Sequence, residues 1–473
     1  MNNKRAEKGN PMSFSSLPFL FVFFPIFFIF YYLLPARAKT AWLLLGSLIF
    51  YYWGCREAPW QLGLMCLMVL VNFCLGHVIG RSSHPKPWLV VGLLFNFLPL
   101  VWFKYFAFFG NTLLSLLTLP AVLETKSLPL GLSFFAFQAA AYLVDVYRRS
   151  VLPERSLIRA GAYFLLFPHV GSGPILDYRD TAPQFINPTV RLYMVDRGLR
   201  EFCIGLSLKL LLADRVGKLW QDVAAIGYES ISTPLAWMAL FAYTFELYLD
   251  FYGYSRMAVG LGWMLGLELP RNFSYPYAAS SLTEFWRRWH ISLSMWFRNY
   301  LYIPLGGSRN GTAKTVRNLL IVWLATGLWH GASFNFILWG LAVFLLLLVE
   351  KAGLKKLFDR VPALGHLYLA AAVPLTWLIF GISDLSKLGV YFSRLFPFHS
   401  SPMGAYALDY LKYARQYGVL LVLCAIFSTP LPRRIYRKYA SSIWMILLLL
   451  AAFWVCLYCI RQGLNDPFLY FQF

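Results

Sequence analysis

Hydrophobic positions in this chain arrive in long blocks, some of them interrupted, unlike the alternation of a half-buried strand or the one-sided stripe of a soluble helix. Apolar runs occupy Leu17–Leu34, Ala41–Trp53, Leu62–Ile79, Trp88–Phe109, Leu113–Leu123 and Leu130–Val146. Others follow at Ala160–Ile175, Phe202–Leu212, Pro234–Phe251, Met257–Leu267, Leu319–Val349 (two passes), Leu367–Ile382, Tyr417–Phe427 and Ile443–Ile460. The shortest, about 11 to 13 residues, reach only half to two thirds of the roughly 20 needed to cross hydrocarbon, so they must be tilted, re-entrant or buried in a bundle. The pattern predicts an all-α, polytopic integral membrane protein with roughly 11 to 13 membrane-embedded helices.

Polar residues inside this pattern carry the information about chemistry. The stretch Asn318 to Val349 reads as an apolar hairpin interrupted by Trp329-His330-Gly331. Arg309, Lys314 and Arg317 precede it, and Lys351, Lys355, Lys356 and Arg360 follow it, which places both ends on the cytoplasmic side. Counted from Asn318 at 1.5 Å per residue, His330 lies roughly 20 Å into a slab about 30 Å thick. An ionisable group at that depth is expected to face a protein-lined or watery cavity and to have a function.

A second polar region runs from Arg271 to Arg317. Ser281-Leu282-Thr283-Glu284 has capping-box spacing, with Ser281 as N-cap and Glu284 reaching back to its amide. Trp286, Trp289, Leu293, Trp296, Phe297 and Tyr300 then recur at helical spacing, while Arg287, Arg288 and Arg298 lie off that stripe. One amphipathic, basic helix at the cytoplasmic interface is predicted, ended by Pro304 and Gly306-Gly307. His290 sits within it, either as an interfacial residue bonded to a carbonyl or as a step on a path inward to His330. Glu246 and Asp250, four residues apart, share one helix face. They fit a substrate cavity or a structural ion-pair network with Lys209 or Arg256 as partner.

Composition narrows the classes. Of 473 residues, 59% are hydrophobic and 19% aromatic, far outside the range of ordinary globular domains. The net charge of +21 resides mostly in short connections, where it sets topology; with no soluble domain and no Gly-rich phosphate fingerprint, nucleic acid is not an expected partner. Lys4, Arg5 and Lys8 before an apolar run resemble a signal peptide, but that run is long for a signal core and the next segment follows at once. Residues 1–11 are read as a disordered extension and 12–473 as a single membrane domain. Seven cysteines scattered through apolar runs imply no disulfide framework, and Cys456 and Cys459 read as small buried residues.

No ligand spacing accompanies His330, so no metal is expected, and no G-x-S-x-G elbow supports a serine nucleophile. What remains for a buried imidazole is proton abstraction or relay, for instance from a hydroxyl attacking an activated carbonyl.

At these residues the chain resembles the membrane-bound O-acyltransferase family, and within it the bacterial alginate O-acetylase branch. The likeness runs from about Met12 to Phe473. It is carried by Leu128–Phe135 with Tyr142 and Asp145–Arg148, by Phe167-Pro168-His169 with Gly173-Pro174-Ile175, by Tyr243–Phe251 and by Phe285–Ser294. Tyr302–Gly307, Gly327–Ala332 and the terminal Phe468–Phe473 complete it. The resemblance implies helices around a central tunnel and acetyl transfer from a cytoplasmic donor, acetyl-CoA, toward an exported polysaccharide. It implies a bacterial inner-membrane location, periplasmic glycan-acetylation partners and no tightly bound cofactor. His330 then corresponds to the family's essential tunnel histidine and His290 to its second polar partner. Arg287, Arg288, Glu246, Asp250 and Trp329 are the expected substrate contacts. The chain departs from the family at Arg256 and Arg271, where relatives tend to carry acids, and at Leu341-Ala342-Val343, where they often have a further His-Gly. Peptidoglycan or teichoic-acid acylation is the alternative within the class. A transporter or flippase of an acyl or glycan precursor is the alternative outside it.

Overall fold

A computed structural model describes residues 13–120, 122–124, 126–396 and 407–469. The expected extension at residues 1–11 and the last four residues of the terminal motif lie outside this set. Every regular element among the described residues is helical. Five helices are long and apolar enough to cross a membrane: Trp60–Arg81, Pro85–Leu116, Phe334–Arg360, Pro362–Gly381 and Ile443–Arg461. A bent pair, Asp409–Phe427 with Leu431–Tyr439, makes a sixth if it counts as one span. Thr312–His330 is as long as some of these but is not among them, because Lys314, Arg317 and Asn318 dilute its apolar residues.

The chain forms two compact units. One comprises residues up to Phe202 together with Ser255–Arg271. Phe19, Phe23 and Phe27 stack one turn apart in it, against Phe50 and Phe167. Asn72 and Asn96 exchange side-chain hydrogen bonds of 2.8 and 2.7 Å between neighbouring helices, each amide satisfying the other where water is excluded. Arg256, considered above as a partner for Glu246 and Asp250, instead pairs with Glu201 at 2.6 Å, so its charge is neutralised within this unit. In the loop before Leu157–Phe164, Glu154 accepts from Arg159, the Tyr178 hydroxyl and the Ser156 amide at 2.6, 2.8 and 2.9 Å.

The other unit comprises Cys203–Tyr254 and the chain from Asn272 onward. Its centre is aromatic: Trp289, Trp323, Trp339 and Trp377 are buried with Phe285, Phe336 and Phe380. The expected hairpin is present as Thr312–His330 and Phe334–Val349, joined by three residues, a length that forces neighbouring antiparallel arms. Gly331 has no side chain because one would strike the Phe336 ring, 2.0 Å from where its Cβ would stand.

The amphipathic helix expected from Ser281 to Tyr300 is not continuous. It ends at Arg288, resumes at Ile291, and passes into a wider π turn at Arg298–Tyr302. At the break His290 takes a left-handed conformation, φ +43°. The cause is a distant segment. The Ser274 amide donates to the Arg288 carbonyl at 3.0 Å and the Ile291 amide donates to the Asn272 carbonyl at 2.9 Å, drawing the chain off the helical path. Gly306 and Gly307, expected as terminators, do adopt positive φ.

Candidate active site

His330 is the last residue of the first hairpin arm, where the helix stops against the Gly331 turn. It is half-buried in an aromatic box. Its ring centroid lies 4.9 Å from Trp329, 5.1 Å from Trp339 and 5.1 Å from Phe380, each nearly perpendicular to it, and 6.5 Å from Phe336. The box is held from outside by polar contacts. Asn335, in the first turn of the second arm, donates to the carbonyls of Ile379 and Phe380 at 3.2 and 2.9 Å, satisfying groups that the end of Pro362–Gly381 leaves without helical partners. Phe380 is thereby fixed against the imidazole.

His290, fully enclosed at 2% exposure, packs near the same tryptophan, Trp329. Its ring lies 6.1 Å from the Trp329 ring and 4.8 Å, edge to face, from Phe251. The structure therefore brings both sequence-selected histidines onto one indole. The left-handed backbone at His290 is what turns its side chain into the aromatic core; on a continuous helix it would fall between the buried stripe and the arginine face.

The segment leading to His290 is anchored by a residue that sequence reasoning passed over. Glu350, 1% exposed, follows the second hairpin arm directly. Its carboxylate accepts from the Leu282 amide, from the Thr283 amide at 2.9 Å and from the Thr283 hydroxyl at 2.6 Å, so it caps Leu282–Arg288 from outside. The predicted capping box is half realised. Ser281 does accept from the Glu284 amide at 3.1 Å, but Glu284 reaches back to Ser280, at 2.9 Å. A lone acid between Val349 and Lys351 was the available signal, since such a residue at the end of an apolar run must find donors.

The remaining candidates are distributed differently. Arg287 is exposed and open to an anion, whereas Arg288 is ion-paired with Glu284 one turn earlier. Asp250 is bound to Lys209 at 2.9 Å, and Lys209 to Asp214 at 2.5 Å, all three buried. The chain's last described residues close this triad: the amides of Asp466 and Leu469 donate to Asp214 and Asp250, and the Phe468 ring lies 4.7 Å from the Lys209 ammonium. Of the two roles open to Asp250, this is the geometry of an ion-pair network. Lys209 stands in a π turn, Leu208–Ala213, whose extra residue per turn brings Lys209 and Asp214 onto one side. Glu246 is different. It is 6% exposed, has no hydrogen bond or ion pair among the described residues, and lies against Gly217, whose absent Cβ would fall 2.2 Å from its carboxyl. No three metal-binding side chains converge among the described residues.

Two imidazoles thus meet one buried tryptophan, His330 half-buried and His290 enclosed. A family model described as MBOAT, membrane-bound O-acyltransferase family, matches residues 130–384, which carry both histidines. The chain is 37% identical over 427 residues to a protein of Pseudomonas putida named probable alginate O-acetylase, covering 88% of this chain and 85% of that one. It is 34% identical to a peptidoglycan O-acetyltransferase of Helicobacter pylori, over 79% of this chain and 78% of the relative. A teichoic acid D-alanyltransferase of Bacillus subtilis matches at 28%, over 45% of this chain and 56% of the relative. The chain belongs to the membrane-bound O-acyltransferase family. It is a multi-pass membrane enzyme whose reaction is acyl transfer to oxygen.

Proposed function

We propose that this protein moves acetyl groups from acetyl-CoA on the cytoplasmic side of a bacterial inner membrane toward an exported polysaccharide, as an alginate O-acetylase does. The observation that carries the reading is His330 in its aromatic box with His290 near the same Trp329 ring. In this reading the shorter apolar helices lie within the bilayer, making roughly 11 to 13 embedded segments around a tunnel.

Arg287, exposed on the segment that leads to His290, draws the CoA phosphates, with Arg288 available when it leaves Glu284. The thioester passes into the aromatic box, whose apolar walls and Trp329 hold an acetyl group away from water. An acceptor hydroxyl attacks the carbonyl carbon as His330 takes its proton. The new C–O bond forms, the C–S bond breaks, and the leaving thiolate receives that proton from His330. His290 orients the donor or the acceptor. With Asp250 committed to Lys209, Glu246 is the carboxyl of that helix face left to meet substrate. Periplasmic proteins then complete acetylation of the glycan. Similarity to a peptidoglycan O-acetyltransferase favours the cell-wall glycan as the second acceptor class.

The test is His330→Ala. It abolishes glycan acetylation and CoA release while the protein stays at normal abundance in the membrane; near-normal acetylation rejects the role. Movement of intact precursor across liposomes without loss of thioester reassigns the protein to transport.

A further inference from the structure

The wall of the box holds a hydrogen-bond donor that the fold does not use. Trp339 and Trp377 stack nearly parallel, 5.9 Å apart with 17° between planes, and both are buried. Trp377 spends its indole N–H inside the fold, donating to the Tyr277 hydroxyl at 3.2 Å. Trp339 does not: its ring is 0% exposed and its Nε1 has no acceptor among the described residues. A buried N–H without a partner is costly, and although Trp286 has one too, of the two the Trp339 N–H is the one on a ring beside His330. It belongs to a residue whose ring stands 5.1 Å from the His330 imidazole, perpendicular to it at 88°. The hairpin sets that position, because Gly340, next to Trp339, packs directly on the opposite arm.

We propose that Trp339 is a catalytic residue whose indole N–H stabilises the oxyanion formed during acyl transfer. This rests on the acyl-transfer reading of the His330 site. When the acceptor oxygen bonds to the carbonyl carbon, the carbonyl π pair moves onto its oxygen. The charge then develops beside the imidazole that has just taken the hydroxyl proton, and it needs a donor preorganised in a water-poor place. The Trp339 N–H is such a donor: no described residue accepts from it, and the thioester oxygen is the acceptor it would meet. As the tetrahedral species collapses, the pair returns to the C=O bond, the C–S bond breaks, and the thiolate takes the proton from His330. The indole N–H keeps its own proton throughout.

The experiment compares Trp339→Phe with Trp377→Phe in membranes bearing the full-length chain, following CoA release from acetyl-CoA in the presence of acceptor. Trp339→Phe keeps an aromatic ring and removes the donor. The expected result is a fall in kcat of about 10²- to 10³-fold, with KM for acetyl-CoA changed by less than about threefold, the split expected of a contact made only in the transition state. Trp377→Phe, which loses a bond internal to the fold, lowers thermal stability and leaves kcat within about threefold. If Trp339→Phe does not accumulate, incorporation of benzothienylalanine at 339 preserves shape and lacks only the N–H, and the same fall in kcat is expected. Turnover within threefold of wild type in either 339 variant overturns the proposal, as does a loss confined to stability, which would mean that the N–H serves packing against neighbouring rings. Loss of turnover in His330→Ala with full turnover in the 339 variants rejects only the oxyanion role. Retained turnover in His330→Ala rejects the underlying reading.

Discussion

Gly327 and Gly340 face each other across the hairpin with no side chain between the arms. A Cβ on Gly340 would fall 2.4 Å from the Trp323 carbonyl oxygen and 3.6 Å from the Gly327 Cα, and one on Gly327 would fall 2.3 Å from the Phe336 carbonyl oxygen. In a bilayer, where lipid is as apolar as the helices, such backbone approach is a principal source of helix association. Here it also sets the spacing between His330 on one arm and Trp339 on the other.

Gly340→Ala should therefore cost about 1–3 kcal/mol, since the colliding atom is backbone and cannot rotate away. Thermal unfolding in detergent measures the loss. Turnover at permissive temperature should fall as well, because the arms part by some tenths of an ångström at the box. A substitution tolerated in both assays would mean that the arms are not held this closely.

The Lys209–Asp214–Asp250 triad makes a different kind of prediction. Lys209→Met leaves two buried carboxylates without their cation, a change of a kind that costs about 3–5 kcal/mol when one side of a buried pair is removed. Membrane abundance should drop sharply. Neutralising the partners in the same chain, Lys209→Met with Asp214→Asn and Asp250→Asn, should restore most of it, because the lost term is uncompensated charge. If Asp250→Asn alone instead leaves abundance normal and abolishes turnover, Asp250 holds substrate and the ion-pair assignment fails.

Glu154 supplies a pH dependence outside the candidate membrane-spanning helices. Burial works against its charge, but hydrogen bonds from Arg159, the Ser156 amide and the Tyr178 hydroxyl outweigh that and hold its pKa below the usual glutamate value. A carboxyl with a depressed folded-state pKa stabilises fully above its unfolded value, near 4.3, and loses that contribution as pH falls through the folded value. Wild type should exceed Glu154→Gln in unfolding temperature at pH 7, and the difference should shrink as pH is lowered below about 4. A difference that does not change with pH would show that the carboxyl contributes only through shape.

How far the sequence foretold this arrangement depended on whether the cause was local. The hairpin and its stop at His330 were legible because an apolar block, a Trp-His-Gly interruption and flanking basic loops all lie within one stretch of chain. Ser281 was legible as an N-cap for the same reason. The break at His290 was not, because the three- and four-residue stripe runs straight through it; what bends the backbone is pairing with Asn272 and Ser274, whose role no spacing within the helix records. Glu350 was missed likewise, its donors lying 67 and 68 residues earlier. The Glu246 and Asp250 pair was legible as a shared face, but their separate fates were not. Lys209 takes Asp250 through a π turn that shifts helical register, and register shifts leave no periodic trace.

The Glu350 carboxylate holds the far end of one hairpin arm to the start of the segment that delivers His290. By Trp286 that segment has come back alongside Trp339, with ring centroids 5.7 Å apart. Two imidazoles carried by separate stretches of chain thus share a single frame, closed by Glu350 at one corner and by aromatic contact at the other. A push on either mounting is felt by both rings, so the pair should tune together: natural variation that re-aims one histidine must be matched along this frame, or the two rings lose their alignment.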